Sequence, residues 1–472
     1  MIPAVTASKI YSILGNNNSL VPLAAKDIAN SAGLTAGSYF IGDKEEGQDR
    51  FIDEFGTQAL WLFGIPTYKK ILDVTLFKGL GYDHKIDVRT LKNKEIFEKA
   101  KEFAHNDTVK SSLEKVGKNA KTFKGLTLAK FAISTLMTIG TYAALTKYRH
   151  KKTEERVKQS ILTEHRAKQS MANSSNQNKE KTEEKNTTFT PTINKPQAFK
   201  GVEINKENNN GEQVAFAGGL SEFMFNPVKN LMIVDGAITG ERLTSARSMQ
   251  DFLGYTVKEG TFWLFMYGIG GKLQSMLENS AEKNHKKSID LDARVIESDE
   301  LKNAFKNDSL QKSLKEFANC KTDVEVYEFI NKNPDNFIVK MAKKSDVIKT
   351  VASNENFFVK LARKTGLMEK EVKNADKVDT RAYIDIDEFK GVAKKLEKLQ
   401  NQYKNSGETL DVFLNGVKKL KRASVWKNLG SCVLALGVIA PAIMVGIRYL
   451  RNDKEFEVKE RIQKELAFQG EI

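Results

Sequence analysis

Five histidines, two cysteines and one carboxylate-rich stretch are the side chains best suited to chemistry here, and their spacing decides what they can do. His84, His105, His150, His165 and His285 never stand at metal-ligand spacing with one another, or with Cys320 or Cys432, and no His-Glu-x-x-His occurs. His84 and His285 each precede Lys and, soon after, Ile-Asp. That matched placement would suit paired ligands, but a loop residue ahead of a helix cap explains it more simply. The acidic stretch from Asp376 to Phe389 ends like the tail of a calcium-binding EF-hand loop. Counting back from Glu388 puts Lys377 at the first ligand position, Arg381 at the fifth and Ala382 where the turn wants glycine. Cations where oxygens are needed speak against calcium. Aspartates at a helix N-terminus, where they complement the helix dipole, account for the stretch better. Neither a glycine-rich phosphate loop nor a G-x-S-x-G elbow is present. These residues predict a chain without catalytic activity and with no catalytic, cofactor-binding or metal-binding residue and no cofactor.

The elements around them are predicted to be helical. Only 8 prolines interrupt 472 residues rich in Lys, Glu, Leu and Ala, which favours helices over strands and turns. The excess of 75 Lys and Arg over 60 Asp and Glu gives +15, spread along the whole chain. Nucleic-acid binding gathers charge on one face beside stacking aromatics, whereas the aromatics here sit inside apolar runs, so a nucleic-acid partner is not expected. Two cysteines cannot build a disulfide framework and suit a reducing compartment. Met1 to Lys9 lacks a basic start followed by an apolar stretch, which predicts no cleavable signal peptide.

The chain reads as written twice. Phe55-Gly-Thr-Gln-Ala-Leu-Trp-Leu-Phe-Gly-Ile-Pro66 aligns with Glu259-Gly-Thr-Phe-Trp-Leu-Phe-Met-Tyr-Gly-Ile-Gly270, with Gly56 on Gly260, Thr57 on Thr261, Leu60 on Leu264 and Gly64 on Gly268. Leu34-Thr35 falls on Ile238-Thr239 in the same register. His84 to Val88 resembles His285 to Leu291, and Glu155-Arg-Val157 resembles Glu460-Arg-Ile462. The expected organisation is a first repeat over 1–165, a disordered polar linker over 166–218 and the start of a second repeat over 219–289. A helical insertion over 290–426 and a final apolar and charged segment over 427–472 complete it. Within the insertion, three-and-four spacing predicts amphipathic helices at Ser309–Phe317, Asp323–Ile330, Asn336–Met341, Phe357–Ala362 and Phe389–Leu399.

Two long apolar runs set the remaining expectations. Leu429 to Ile447 has no charge, and at ~1.5 Å per residue it spans about 28 Å, close to a bilayer's hydrocarbon thickness. Phe131 to Thr146 is its shorter counterpart, with Lys130 before it and Lys147, Arg149 and His150 after it. Gly140-x-x-x-Ala144 and Ala442-x-x-x-Gly446 hint that the two helices pair through small residues. The runs at Thr57–Ile65 and Thr261–Ile269 are too short to span and are expected beside the anchors or at the interface. The sequence therefore predicts an all-α, internally duplicated integral membrane protein, in a cell or inner membrane, contacting membrane lipids. Its expected role is a membrane-anchored scaffold or adaptor binding a protein partner through the insertion. The alternative is a small oligomeric carrier or channel-like protein, against which stands the absence of a carboxylate in the apolar runs.

Overall fold

Helix-forming residues and scarce proline make most of the described chain helical. The computed structural model describes residues 21–41, 44–176, 227–352, 375–451 and 457–472; among these the only β-type pairing is an isolated bridge between Thr350 and Val378. The predicted helix at Phe357–Ala362 and most of the predicted linker lie outside the described residues.

Among the described residues six long rods form a bundle. In the first half these are α1 (Val21–Ile41), a second rod and α6. The second rod passes through α2 (Lys44–Ala59), a π-helical stretch at Leu60–Gly64, α3 (Ile65–Leu72) and a further π-helical stretch at Asp73–Lys78. The short helices α4 (Lys94–Glu102) and α5 (Asp107–Lys118) intervene before α6 (Ala120–Asn176). The helix of α6 continues through 166–176, a stretch predicted as the start of the linker. Nothing in those residues breaks a helix, and propensity carries it on. In the second half α7 (Pro227–Thr244) leads to a rod made of α8 (Met249–Trp263), a π-helical stretch at Leu264–Ile269 and α9 (Gly270–His285). Later come α16 (Leu410–Leu434), a π-helical stretch at Ala435–Ile439 and α17 (Ala440–Leu450).

The short apolar runs thus lie inside long rods rather than forming separate helices. The second rod of the first half runs antiparallel to α6: Thr153 donates to Asp49 at 2.6 Å near one end, and Lys130 pairs with Asp73 near the other. Leu60 packs with Tyr142, Val234 and Ile238, while Phe262 and Met266 pack with Leu436. The first helix of each half leans on the other half's apolar helix, α1 on α16–α17 and α7 on α6. The closest approach is Gly33 against Gly437. Pro441 has no N–H to give the Gly437 carbonyl four residues back, and the helix widens into its π-helical turn there. A Cβ at position 33 would lie 2.1 Å from the Gly437 oxygen, so only glycine fits. The predicted small-residue contacts are not used in this way, since the space beside Gly140 and Gly446 is open.

At one end of the bundle lies an apolar-cored lobe of short helices. The insertion contributes α10 (Ala293–Ile296), α11 (Asp299–Lys306), α12 (Ser309–Phe317), α13 (Asp323–Lys332), α14 (Phe337–Lys344) and α15 (Ile386–Ser406). They do not enclose a core of their own. Phe337, Phe389, Leu396 and Phe413 share one buried cluster with Ile86, Phe97, Leu113 and Phe123 from the first half. The same local device fastens three of its loops. Asp87, Asp292 and Asp379 each accept the backbone N–H of the arginine two residues on, at 2.9, 2.8 and 3.1 Å, and also hold its guanidinium. At the far end α18 (Glu457–Gln469) packs Val458, Ile462 and Leu466 against Val157 and Ile161 of α6.

Candidate functional site: a buried charge network

The bundle interior holds a dense set of charged and phenolic side chains. Glu46, Asp49, Arg50, Asp53 and Glu54 rise along one face of α2, because i, i+3 and i+4 residues share a face. Against them stand Tyr142 and Arg149 of α6, Arg242 of α7, and Asp251, Tyr255, Lys258 and Glu259 of α8. All twelve are at most 8% exposed.

Asp53 is the centre. Its carboxylate meets Arg149 Nη1 at 3.1 Å and Arg242 Nη2 at 3.5 Å, and it accepts from the Tyr142 hydroxyl at 2.9 Å. Arg242 also holds Glu259 at 2.5 Å and donates to Tyr142 and Thr57 at 2.7 and 2.9 Å. Arg149 donates to the Tyr255 hydroxyl at 2.8 Å, and Arg50 lies over that ring, 5.3 Å from its centroid. Lys258 bridges Glu54 and Glu259 at 2.7 and 3.5 Å. Above this layer Arg247 spans Asp49 and Asp251 at 2.7 and 2.9 Å, and Arg448 closes the end on Glu46 at 2.5 Å.

Four of these ion pairs, Asp53–Arg242, Glu54–Lys258, Asp49–Arg247 and Glu46–Arg448, join residues of opposite halves. Ions taken from water into this interior would each cost several kcal/mol, and mutual pairing offsets that only when geometry is good on all sides. The arrangement works as a clamp fixing how the halves meet. A cleft of about 350 Å³ opens beside it, lined by Asp27, Ser31, Glu54, Trp61, Asp235 and Lys258 among others. The Trp61 indole donates to Asp27 at 3.1 Å, and the Tyr267 hydroxyl donates to Asp235. Nucleophile, base and orienting group in sequence do not occur among these contacts; the carboxylates are occupied by cations or by donors.

The residues singled out in the sequence fall elsewhere. His84 Nε2 lies 4.0 Å from Asp73 at the junction of bundle and lobe, whereas His285 ends α9. Asp385 caps α15, accepting from the N–H groups of Asp387 and Glu388 at 3.1 Å, as a dipole-complementing aspartate should. Arg381, at the fifth position of the EF-hand-like stretch, spans Asp379 at 2.7 Å and Asp83 of the first half at 3.1 Å. Burial opposes its charge, but these two carboxylates hold the Arg381 guanidinium above its ordinary range. In the lobe the Lys332 and Lys99 ammonium groups hold the Glu328 carboxyl down at about 2. No group of three or more metal-ligating side chains occurs among the described residues.

The network escaped sequence reading because Asp49-Arg50-x-x-Asp53-Glu54 looks like a solvated helix face. A usable signal was there: mixed charges at i, i+4 spacing run directly into the repeated apolar block, so the whole segment lies on one rod. No family model, curated protein or solved structure matches the chain.

Proposed function

We propose that the chain is a membrane-anchored scaffold without catalytic activity, built from two like halves that a charge clamp locks together. The observation that carries this reading is the bare apolar surface of its two longest apolar helices. Ala120–Met171 and Leu410–Leu450 are long and apolar enough to cross a membrane, and only 17% and 28% of their most apolar windows are buried. Leu136, Phe63, Leu264, Leu434 and Val438 stand exposed on four of the rods, a belt suited to lipid. The duplication is supported by matched features beyond the sequence blocks. Both second rods carry a π-helical stretch at corresponding positions, both halves enter the lobe through an Asp-x-Arg clamp, and each first helix packs on the opposite apolar helix. A locked, charge-neutralised interior suits a fixed frame better than a carrier's moving path, leaving the lobe as the partner-binding face.

A second reading is favoured by the path of the chain. Asn230 accepts from Lys69 at 3.0 Å, which places the start of α7 near the lobe. The end of α6 lies beyond Thr153, at the opposite end of the bundle. Residues 177–226 therefore connect opposite ends, yet their sequence contains no apolar run of bilayer-spanning length. In the second reading other copies of the chain, not lipid, cover the belt.

Membrane fractionation with an alkaline carbonate wash separates the two. Release only by detergent supports the anchored scaffold. Release by carbonate, with a concentration-dependent oligomer by light scattering, overturns it in favour of self-assembly. Deleting the insertion is not a usable test of partner binding, because the first half's share of the lobe core would be stripped open.

A further inference from the structure

Where the first half's second rod, α6 and the loop before α4 meet, a cavity of about 610 Å³ opens at the bundle–lobe junction. Its lining combines Phe77, Ile86 and Phe131 with Lys69, Lys130, His84 and Thr127. The polar residues come from three separate segments, so helical periodicity does not explain their convergence. Lys130 is partnered by Asp73. Lys69 has no carboxylate within 4 Å among the described residues, and its Nζ donates to Asn230 Oδ1 at 3.0 Å. Asn230 is 6% exposed, and its Nδ2 is a buried donor without a partner. Burial lowers the His84 imidazole despite the opposing pull of Asp73, so the lysines supply the positive charge here.

The corresponding corner of the second half is built to stay shut. There Lys421 is 2% exposed and donates to Glu278 at 3.3 Å and to the Ile289 carbonyl at 2.8 Å. Gln274 ties itself to Ser424 at 3.1 Å and to Asn428 at 3.0 Å. One half closes its junction with its own hydrogen bonds, and the other leaves two lysines and an aromatic floor lining open space.

We propose that this cavity binds the phosphate of an anionic phospholipid, with Lys69 and Lys130 holding the headgroup and Phe77 and Phe131 receiving the start of the acyl chains. A phosphate is the anion whose several oxygens can take two ammonium groups together. The apolar floor, continuous with the uncharged run beginning at Phe131, selects a phosphate that carries a tail. The site rests on the cavity's lining and does not require the bundle to cross a bilayer.

The test is calorimetric titration of the full chain with a short-chain phosphatidic acid below its micelle-forming concentration. Short-chain phosphatidylcholine and inorganic phosphate serve as the other arms. The phosphatidic acid is expected to bind at least about tenfold tighter than either. Lys69→Gln, which retains a donor toward Asn230, should weaken it by about tenfold, the worth of one charge-assisted contact. Phe131→Ala should weaken the lipid and leave inorganic phosphate unchanged. Lys272→Gln, on the exposed face of α9, should change nothing, and unchanged melting curves show that each variant is folded. Equal affinity for the choline lipid, or no effect of Lys69→Gln, overturns the proposal. Inorganic phosphate binding as tightly as the lipid overturns the tail.

Discussion

The bundle and the lobe solve the same packing problem with opposite materials. In the lobe, Phe389, Leu113, Ile338 and Phe413 are fully buried and most charges lie outside apart from loop clamps such as Asp379–Arg381, the arrangement water imposes on a core. In the bundle, Arg149 and Asp53 are 1% exposed while Phe63 is 70% exposed and Leu136 66%. The lobe's cohesion comes from apolar area removed from water and is forgiving of direction. The bundle's comes from directed ion pairs and a few close backbone contacts, which tolerate little displacement. The second region is thus specified by geometry, the first by volume.

The largest expected effect falls on the contact with no slack. Gly33→Leu would drive a side chain into the Gly437 carbonyl, and a backbone oxygen cannot move aside as a side chain can. Its cost should exceed the roughly 3 kcal/mol usual for overpacking, read as loss of folded protein in purification and circular dichroism. Phe389→Ala in the lobe should cost about 3–5 kcal/mol in thermal unfolding, the range for a buried aromatic leaving a cavity. Asp53→Ala should cost a comparable ~3–5 kcal/mol for a different reason, since it strands Arg149 and Arg242 in the interior. Replacing Glu54 and Lys258 together with Leu and Met should restore most of what either single change loses, because no lone charge remains. No such rescue is expected in the lobe, and finding one there would erase the distinction. The smallest effect is at the lobe surface. Glu328 should titrate near 2 in an NMR pH series, against an ordinary 4.5. Because its folded value is depressed, the small stabilisation it lends is complete above about pH 4.5 and is lost as pH falls toward 2.

The lobe was largely legible in advance, and the bundle was not. Amphipathic spacing located α12 at Ser309–Phe317 and the starts of α13 and α14 within a residue, because each short helix buries one apolar stripe and three-residue periodicity records that. What the pattern could not carry was the partner. Phe97 and Phe389 lie almost three hundred residues apart and share one core, so the insertion looked self-contained when it is not. In the bundle the failure runs deeper. A buried ion pair and a solvated one have the same letters, and only the opposing rod distinguishes them. Arg242 and Asp53 announce nothing locally, since each satisfies the other across the halves. Gly33 and Gly437 were equally silent, while the more conspicuous Gly140 and Gly446 face open space.

The exchange of first helices between halves also sets a timetable for synthesis. Gly33 leaves the ribosome about four hundred residues before Gly437 exists. At roughly 5–20 residues per second, α1 waits on the order of 20–80 s for the helix it must rest on. Until then the Gly33 face of α1 is uncovered, and Glu46 and Glu54 of α2 lack the partners that Arg448 and Lys258 bring. The first half is therefore born as an incomplete object that must be kept from associating wrongly while the remainder is translated. Pausing, chaperone supply or truncation late in the message should therefore weigh heavily on the yield of this protein.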